Sequence, residues 1–248
     1  MTEKNGLFYY SCDENQDNYS QRRSPFVFKK GDSVIDKNGL CNVHSMVMAA
    51  LYAGYKLPSG KYEREPDNFA DFIVTDPRVD AYYKKVMPAM WKEWNDGKKD
   101  AYTPMEIHAV LAYAFNIWLD GEKDQFVKFY DNLNFKAALY NNFVKGSLPI
   151  VISGSFPKST GTKLNHIVTA TGAAYDANEI VKATKDPKYI PTPKFVKVDD
   201  PYGDTLHDWQ GSGNNILLPW DYCIKNLKPL NSENGKWGHI FQKPAAIA

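Results

Sequence analysis

Between Cys41 and Ala53 the chain reads CNVHSMVMAALYA, apolar at nearly every position. That pattern predicts a helix that is apolar almost all round and therefore central rather than superficial. The residues before it, 1–40, are polar and rich in turn formers, with Asn38-Gly39 marking a turn just ahead of Cys41. They read as an irregular segment leading into the helix. Residues 55–100 alternate Pro and Asp with aromatic clusters such as DNFADFIV and YYKKVMPAMWKEW, the pattern of short helices joined by loops. In YTPMEIHAVLAYAF, Thr103 is placed to cap a helix, Pro104 to occupy its first position and Glu106 to close a capping box. A further helix is expected from about Asn134 to Lys145, with Gly146 terminating it. From Leu148 the texture changes to PIVISG, HIVTATGAAY, KFVKVDD, NILLP and GHIFQ, short β-rich runs punctuated by Gly, Pro and Asp. Helices first and strands afterwards predict one α+β domain over residues 1–248, with a helical lobe at about 41–147 and a β-rich lobe at about 148–248.

Composition adds little to this and excludes a good deal. The 248 residues carry a formal charge of +1, which offers no electrostatic footprint for nucleic acid. Apolar residues make up 43% and aromatic residues 14%, ample for a core. No run of about 18 apolar residues suggests a membrane span. The start, MTEKNGLFYYSCDENQ, lacks the basic-then-apolar pattern of a signal peptide, so the expectation is a chain made in a bacterial cytoplasm. The cysteines Cys12, Cys41 and Cys223 are odd in number and form no CxxC pair, so a free thiol is expected and a disulfide framework is not.

A thiol attacks as the thiolate, and the unpaired N–H groups and dipole at a helix N-terminus favour negative charge. Cys41 stands at such a position. The partner that would take and return its proton is usually a histidine brought from a distant strand. His44 is one turn along the same helix and points inward. His108 sits within the predicted capped helix, and His207 and His239 lie at loop or strand ends. His166 opens the strand HIVTATGAAYD, and the acidic run KFVKVDDPYGD can supply a group to hold its tautomer.

With YSQ at 19–21, CNVHSMVM at 41–48, NHIVTATGAAYD at 165–176 and VDDPYGD at 198–204, the chain resembles the papain-fold cysteine peptidases related to the double-glycine leader peptidases, particularly members found in bacteriophage lysins. The resemblance implies a papain-like fold with the nucleophile at a helix N-terminus and an antiparallel β lobe. It implies Cys41 as nucleophile, His166 as base, Asp200 as the residue that orients the base, and Gln21, with the Cys41 backbone N–H, as support for the oxyanion. It implies a peptide substrate from bacterial peptidoglycan, no cofactor, and a phage endolysin or virion-borne wall hydrolase, acting as a monomer or within a larger assembly. The chain departs from the family at His44, where Thr is frequent, and at Arg22-Arg23-Ser24 after Gln21. Strand alternation independently favours Asp200 over Asp199, because Asp200 shares a face with Val196 and Val198, and Pro201 restricts its backbone to extended geometry. On that reading Asp199→Asn is expected to be nearly silent.

Blander roles stand beside these. A lone cysteine is more often packing than catalysis, and Gln21 has Gln16 close by. Cys12 and Cys223 read as structural, and Cys41-x-x-His44 lacks the second pair that a zinc site needs. Asp199, Asp200, Asp204 and Asp208, like Asp32, Asp36 and Asn38, fit no EF-hand loop and read as solvated turn carboxylates. Tyr9-Tyr10, Tyr82-Tyr83 and Trp91/Trp94 read as core or lobe interface before they read as a sugar groove. The rival functions are a protein-processing protease or effector, and a non-catalytic papain-fold wall-binding or structural virion module.

Overall fold

The computed structural model describes residues 1–12 and 19–244, and Gln16 lies outside them. The expected central helix forms as α1 (Cys41–Tyr52), with Asn42 through Ala50 all buried. Three short helices come next, α2 (Glu65–Thr75), α3 (Pro77–Val86) and α4 (Pro88–Asn95), each with proline in its first turn, where the missing N–H has no helical partner to lose. Asp76 caps α3 by accepting from Arg78 N at 2.8 Å. Tyr83 and Trp94 are buried among these helices, and Tyr82 stacks on Tyr113 at 4.0 Å, so these aromatic pairs serve packing.

Only the Glu106 half of the expected capping box at Thr103 forms, and it closes a turn rather than opening a helix. Glu106 Oε2 accepts from Thr103 N at 2.8 Å, and the helix proper, α5 (His108–Trp118), begins two residues after Glu106. Met105 and Ile107 explain the delay: both side chains are buried, and the Met105 carbonyl is taken by Asn42 of α1 rather than by a helical N–H. The next helix, α6 (Phe135–Leu139), starts at the expected place, is capped by Asn134 and then widens into a π-helical segment over Tyr140–Gly146. The left-handed residue that ends it is Ser147, at φ 56°, not Gly146.

An eight-stranded, antiparallel sheet runs through the molecule. Its strands are β1 (Thr2–Lys4), β2 (Leu7–Ser11), β5 (Val127–Leu133), β6 (Ile150–Pro157), β7 (Lys163–Asp176), β8 (Phe195–Asp199), β9 (Ile216–Pro219) and β10 (Lys236–Phe241), while β3 (Phe28–Lys30) and β4 (Ser33–Ile35) form a separate hairpin. The β-rich runs all become strands. The division into lobes at 147 is less clean than the pattern suggests, since β5 lies before it and α7 (Ala177–Lys185) and α8 (Trp220–Asn226) lie after it. The N-terminal segment is not irregular: β1 and β2 form a hairpin whose second strand pairs with β7. No buried periodic face marks it, because every residue of β1 is exposed and every residue of β2 is half-buried.

Strand β7 is the pivot. It pairs with β6 over Lys163–Ala170, with β8 over Thr169–Ala174 and with β2 over Gly172–Asp176. Gly172 admits the last of these, since a Cβ there would lie 2.5 Å from Tyr10 O. Alternation divides the core: Val151 and Ile167 pack with α1 and α5, whereas Ile150, Ile152, Val168 and Ala170 pack on the other face with Phe135, Trp209 and Leu227. Among the described residues no helix is long and apolar enough to cross a membrane.

His108, at the start of α5, places Nδ1 2.9 Å from Nε2 of His239 on β10 and stacks on Phe129 at 4.8 Å. Burial and then the Lys228 charge push His108 down to about 4, and burial and then His108 push His239 well below its ordinary value. Burial likewise depresses His44 to about 3. An unfolded chain takes up these protons near pH 6.5 while the folded one refuses them, so stability falls as pH drops from about 6.5 toward 3. The expected outcome is a denaturation midpoint that declines steadily as pH falls from about 6.5 to 4; a midpoint constant across that window would contradict the neutral pair.

Candidate active site

Cys41 is the first residue of α1 and is half-buried. The residue before it, Leu40, supplies no side-chain cap, so the first amides of the helix are left without a side-chain acceptor. The thiol donates to Asn42 Oδ1 at 3.1 Å, and Asn42 in turn donates through Nδ2 to Met105 O at 2.6 Å. The turn before α5 therefore orients the residue that touches the sulfur. His44 is fully buried and its Nδ1 donates to Leu40 O at 3.0 Å, which fixes a neutral inward-facing ring and leaves it no part beside the thiol.

One turn on from Cys41, Ser45 locks the helix to β7. Its Oγ donates to Ile167 O at 3.0 Å and its carbonyl accepts from Thr169 Oγ1 at 2.9 Å. Ile167 is the next residue after His166, so the lock ties the cysteine helix to the histidine strand at the point where both residues emerge. All the groups in it are buried, which makes each hydrogen bond costly to break.

His166 sits between two partners. Nε2 lies 2.6 Å from Asp200 Oδ1, and the Cys41 sulfur is near enough to act on the ring electrostatically. The imidazole is 2% exposed and the Asp200 side chain 0%, so the pair is screened from water. Burial alone would push the imidazolium down, yet the Asp200 carboxylate and the Cys41 sulfur on its two sides outweigh that and raise it to about 10.

Asp200 is itself oriented by more than the histidine. Oδ1 also accepts from Tyr202 N at 2.8 Å, and Oδ2 accepts from Trp209 Nε1 at 3.2 Å. Trp209 reaches this position from a left-handed backbone, φ 60°, directly after Asp208 at φ 54°, a conformation unfavourable for a bulky side chain. Gly203 permits the chain to fold back here, because its own φ is 136° and a Cβ would lie 2.5 Å from Trp209 O. The rings of Tyr202 and Trp209 meet the imidazole edge-on at 6.1 and 6.4 Å.

Gln21 is 1% exposed on a short 3₁₀ turn, Gln21–Arg23. Its backbone N–H donates to Pro201 O at 2.9 Å, next to Asp200. Its side chain reaches the loop just before Cys41, where Nε2 donates to Lys37 O at 2.8 Å and only distantly to Asn38 O at 3.5 Å. One amide hydrogen is thus engaged and the other is held weakly. The second helix grips this turn from both ends: Arg64 Nη2 donates to Ser20 O at 2.9 Å, and Ser24 Oγ makes a short hydrogen bond to Asp67.

The remaining candidates resolve differently. Asp199 and Asp200 are not solvated turn carboxylates, for both are fully buried. Asp199 accepts from Tyr52 OH at 2.7 Å and from Asn215 N at 2.7 Å, tying the far end of α1 to β8. Asp199 thus has a structural tie of its own, although strand parity sets it on the opposite face of β8 from Asp200. Asp204 and Asp36 cap 3₁₀ turns, and Asp208 holds Ser159. Cys12, Cys41 and Cys223 form no disulfide; Cys223 is fully buried and Cys12 half-buried. Among the described residues no three metal-ligating side chains converge. Sequence reading did not single out Asn42, Ser45, Thr169, Tyr202 or Trp209; the one available signal was Ser45 at helical spacing from Cys41, a polar residue on an apolar helix.

Comparison with known proteins finds no family model that matches this chain and no curated protein that matches it significantly.

Ser45→Ala should cost about 1–2 kcal/mol of stability and slow alkylation of Cys41, measured by peptide mapping, because the sulfur and imidazole lose their common anchor. Unaltered alkylation would show that the lock does not set their alignment. Asp199→Asn should cost about 1–3 kcal/mol, since an amide N–H₂ would face a donor where the carboxylate accepts; a denaturation midpoint equal to that of the parent protein would rule this out.

Proposed function

We propose that the protein is a cysteine endopeptidase of papain-like fold that cleaves amide bonds in the peptides of bacterial peptidoglycan. The observation that carries the reading is the His166 imidazole held between Cys41 and a buried Asp200. A half-buried thiol at a helix N-terminus beside a buried imidazole–carboxylate pair is suited to acyl transfer and costly to maintain for packing alone. The choice of wall peptides over other peptides rests on the resemblance of the four sequence segments.

In the proposed reaction the Cys41 thiol gives its proton to the His166 imidazole, and the thiolate attacks the scissile carbonyl carbon. The Cys41 backbone N–H and the less-engaged amide hydrogen of Gln21 receive the oxyanion. Collapse breaks the C–N bond, and His166 gives its proton to the departing amine, leaving a thioester. Water then attacks the thioester while His166 takes a proton from it. The acid product leaves, and the thiol–imidazole pair is restored. Asp200 holds the ring in the tautomer this requires and stabilises its charge; Trp209 and Tyr202 keep Asp200 in place.

Cys41→Ala and His166→Ala should each lose about 10³-fold or more in turnover on purified walls, and Gln21→Ala about 10²-fold with little change in KM. Products should carry new amino termini and no new reducing sugar ends, read by mass spectrometry; reducing ends without new amines would sink the proposal. Since His166 must carry a proton to the leaving amine, and since it is held up to about 10, activity should persist through neutral pH and fall as pH rises through about 10. Below pH 6.5 the same shift leaves its stability contribution intact, so His166 adds nothing to acid loss of structure.

A further inference from the structure

Arg22 comes directly after Gln21 and is exposed, yet it is not loose. Its Nη2 donates to Trp209 O at 2.9 Å and its guanidinium lies 4.3 Å over the Tyr202 ring. Those are the two residues that hold Asp200 and border His166. The wall between the guanidinium and the imidazole is thus one ring thick, and the Arg22 charge stands within roughly 10 Å of the His166 ring. Among the described residues no carboxylate lies within ion-pair distance of Arg22. A guanidinium offers five N–H donors, and one carbonyl uses only one of them.

An arginine fixed by a carbonyl and an aromatic face, with its remaining donors facing solvent, is pre-organised for an anion; its planar fork matches a carboxylate. An extended peptide advances about 3.3–3.6 Å per residue, so a span of about 10 Å places the matching group within two to three residues of the scissile bond. Resting on the peptidase reading, we infer that Arg22 is a specificity-determining residue that binds a free carboxylate carried by the substrate peptide two to three residues from the bond that is cut.

The test uses paired peptides cut from the wall stem, identical except that one carries the free carboxylate and the other its carboxamide. With the parent protein, kcat/KM should favour the carboxylate by about tenfold through KM, and the preference should shrink as salt rises. In Arg22→Met the ratio of the two should collapse to near one, and Arg22→Lys should retain part of it. Because the readout is a ratio, any general loss from disturbing Tyr202 and Trp209 cancels. A parent ratio of one, or a ratio in Arg22→Met equal to the parent's, would overturn the inference while leaving the peptidase reading standing. If neither peptide is cut, the peptidase reading fails, and the inference is judged on binding of the same pair to Cys41→Ala by calorimetry. There, tighter binding of the carboxylate peptide that disappears when Arg22→Met is added supports an anion site, and equal binding of the two peptides rejects it.

Discussion

The site depends on how one helix is seated on one strand. Cys41 and His166 come from distant parts of the chain, and their side chains meet only if α1 sits at one height and one rotation against β7. Hydrophobic packing between Val43, Met46, Val47 and the sheet supplies attraction without direction. Direction comes from Ser45, which gives its hydroxyl to Ile167 O and its carbonyl to Thr169. Buried hydrogen bonds are directional and expensive to leave unmade, so a helix held by two of them at one residue cannot slide by a fraction of a turn. The same helix is held at its far end by Tyr52 on Asp199. With the helix fixed at both points, Cys41, one turn before the first, has little freedom to leave the imidazole.

On the other side of the imidazole the constraint is electrostatic. A carboxylate buried beside His166 has to be stabilised by donors, and it receives them from the Tyr202 amide and the Trp209 indole as well as from the ring. To deliver the indole, the chain turns back over Gly203 and holds Trp209 in a left-handed conformation. That unfavourable backbone is offset by the hydrogen bonds it makes possible. The Gln21 turn closes the arrangement by bonding at once to Pro201, beside Asp200, and to Lys37, ahead of Cys41. Four segments far apart in sequence are thereby cross-braced around one ring.

Much of this was legible in the sequence, for identifiable reasons. The apolar run after Cys41 and the β-branched runs after Leu148 are long and strongly patterned, so their types could be read from period and composition alone. The Thr103–Glu106 turn was legible in part but not as a helix boundary, since burial of Met105 and Ile107 and the pull of Asn42 moved the helix start. Strands β1, β2 and β5 were not legible, because their partners cover them on one face or on neither. Strand parity and the restriction imposed by Pro201 selected Asp200 over Asp199, and it is Asp200 that lies against His166. Parity did not show that Asp199 is buried as well, since alternation separates inside from outside only where one face of a sheet is wet.

By itself, then, the sequence determined the elements with strong local pattern: a buried helix opening on a cysteine, a strand opening on a histidine, and a proline that extends the aspartate before it. These arise from spacing and steric restriction, which act over a few residues. Tertiary structure alone decided that Ser45 and Thr169 lock helix to strand, that Trp209 and Tyr202 hold Asp200, and that His44 is a neutral core residue. It also decided that Arg22 stands beside the site, fixed by a carbonyl and a ring and, among the described residues, facing no carboxylate. Such roles arise from burial and from contacts between residues remote along the chain, which no local period encodes.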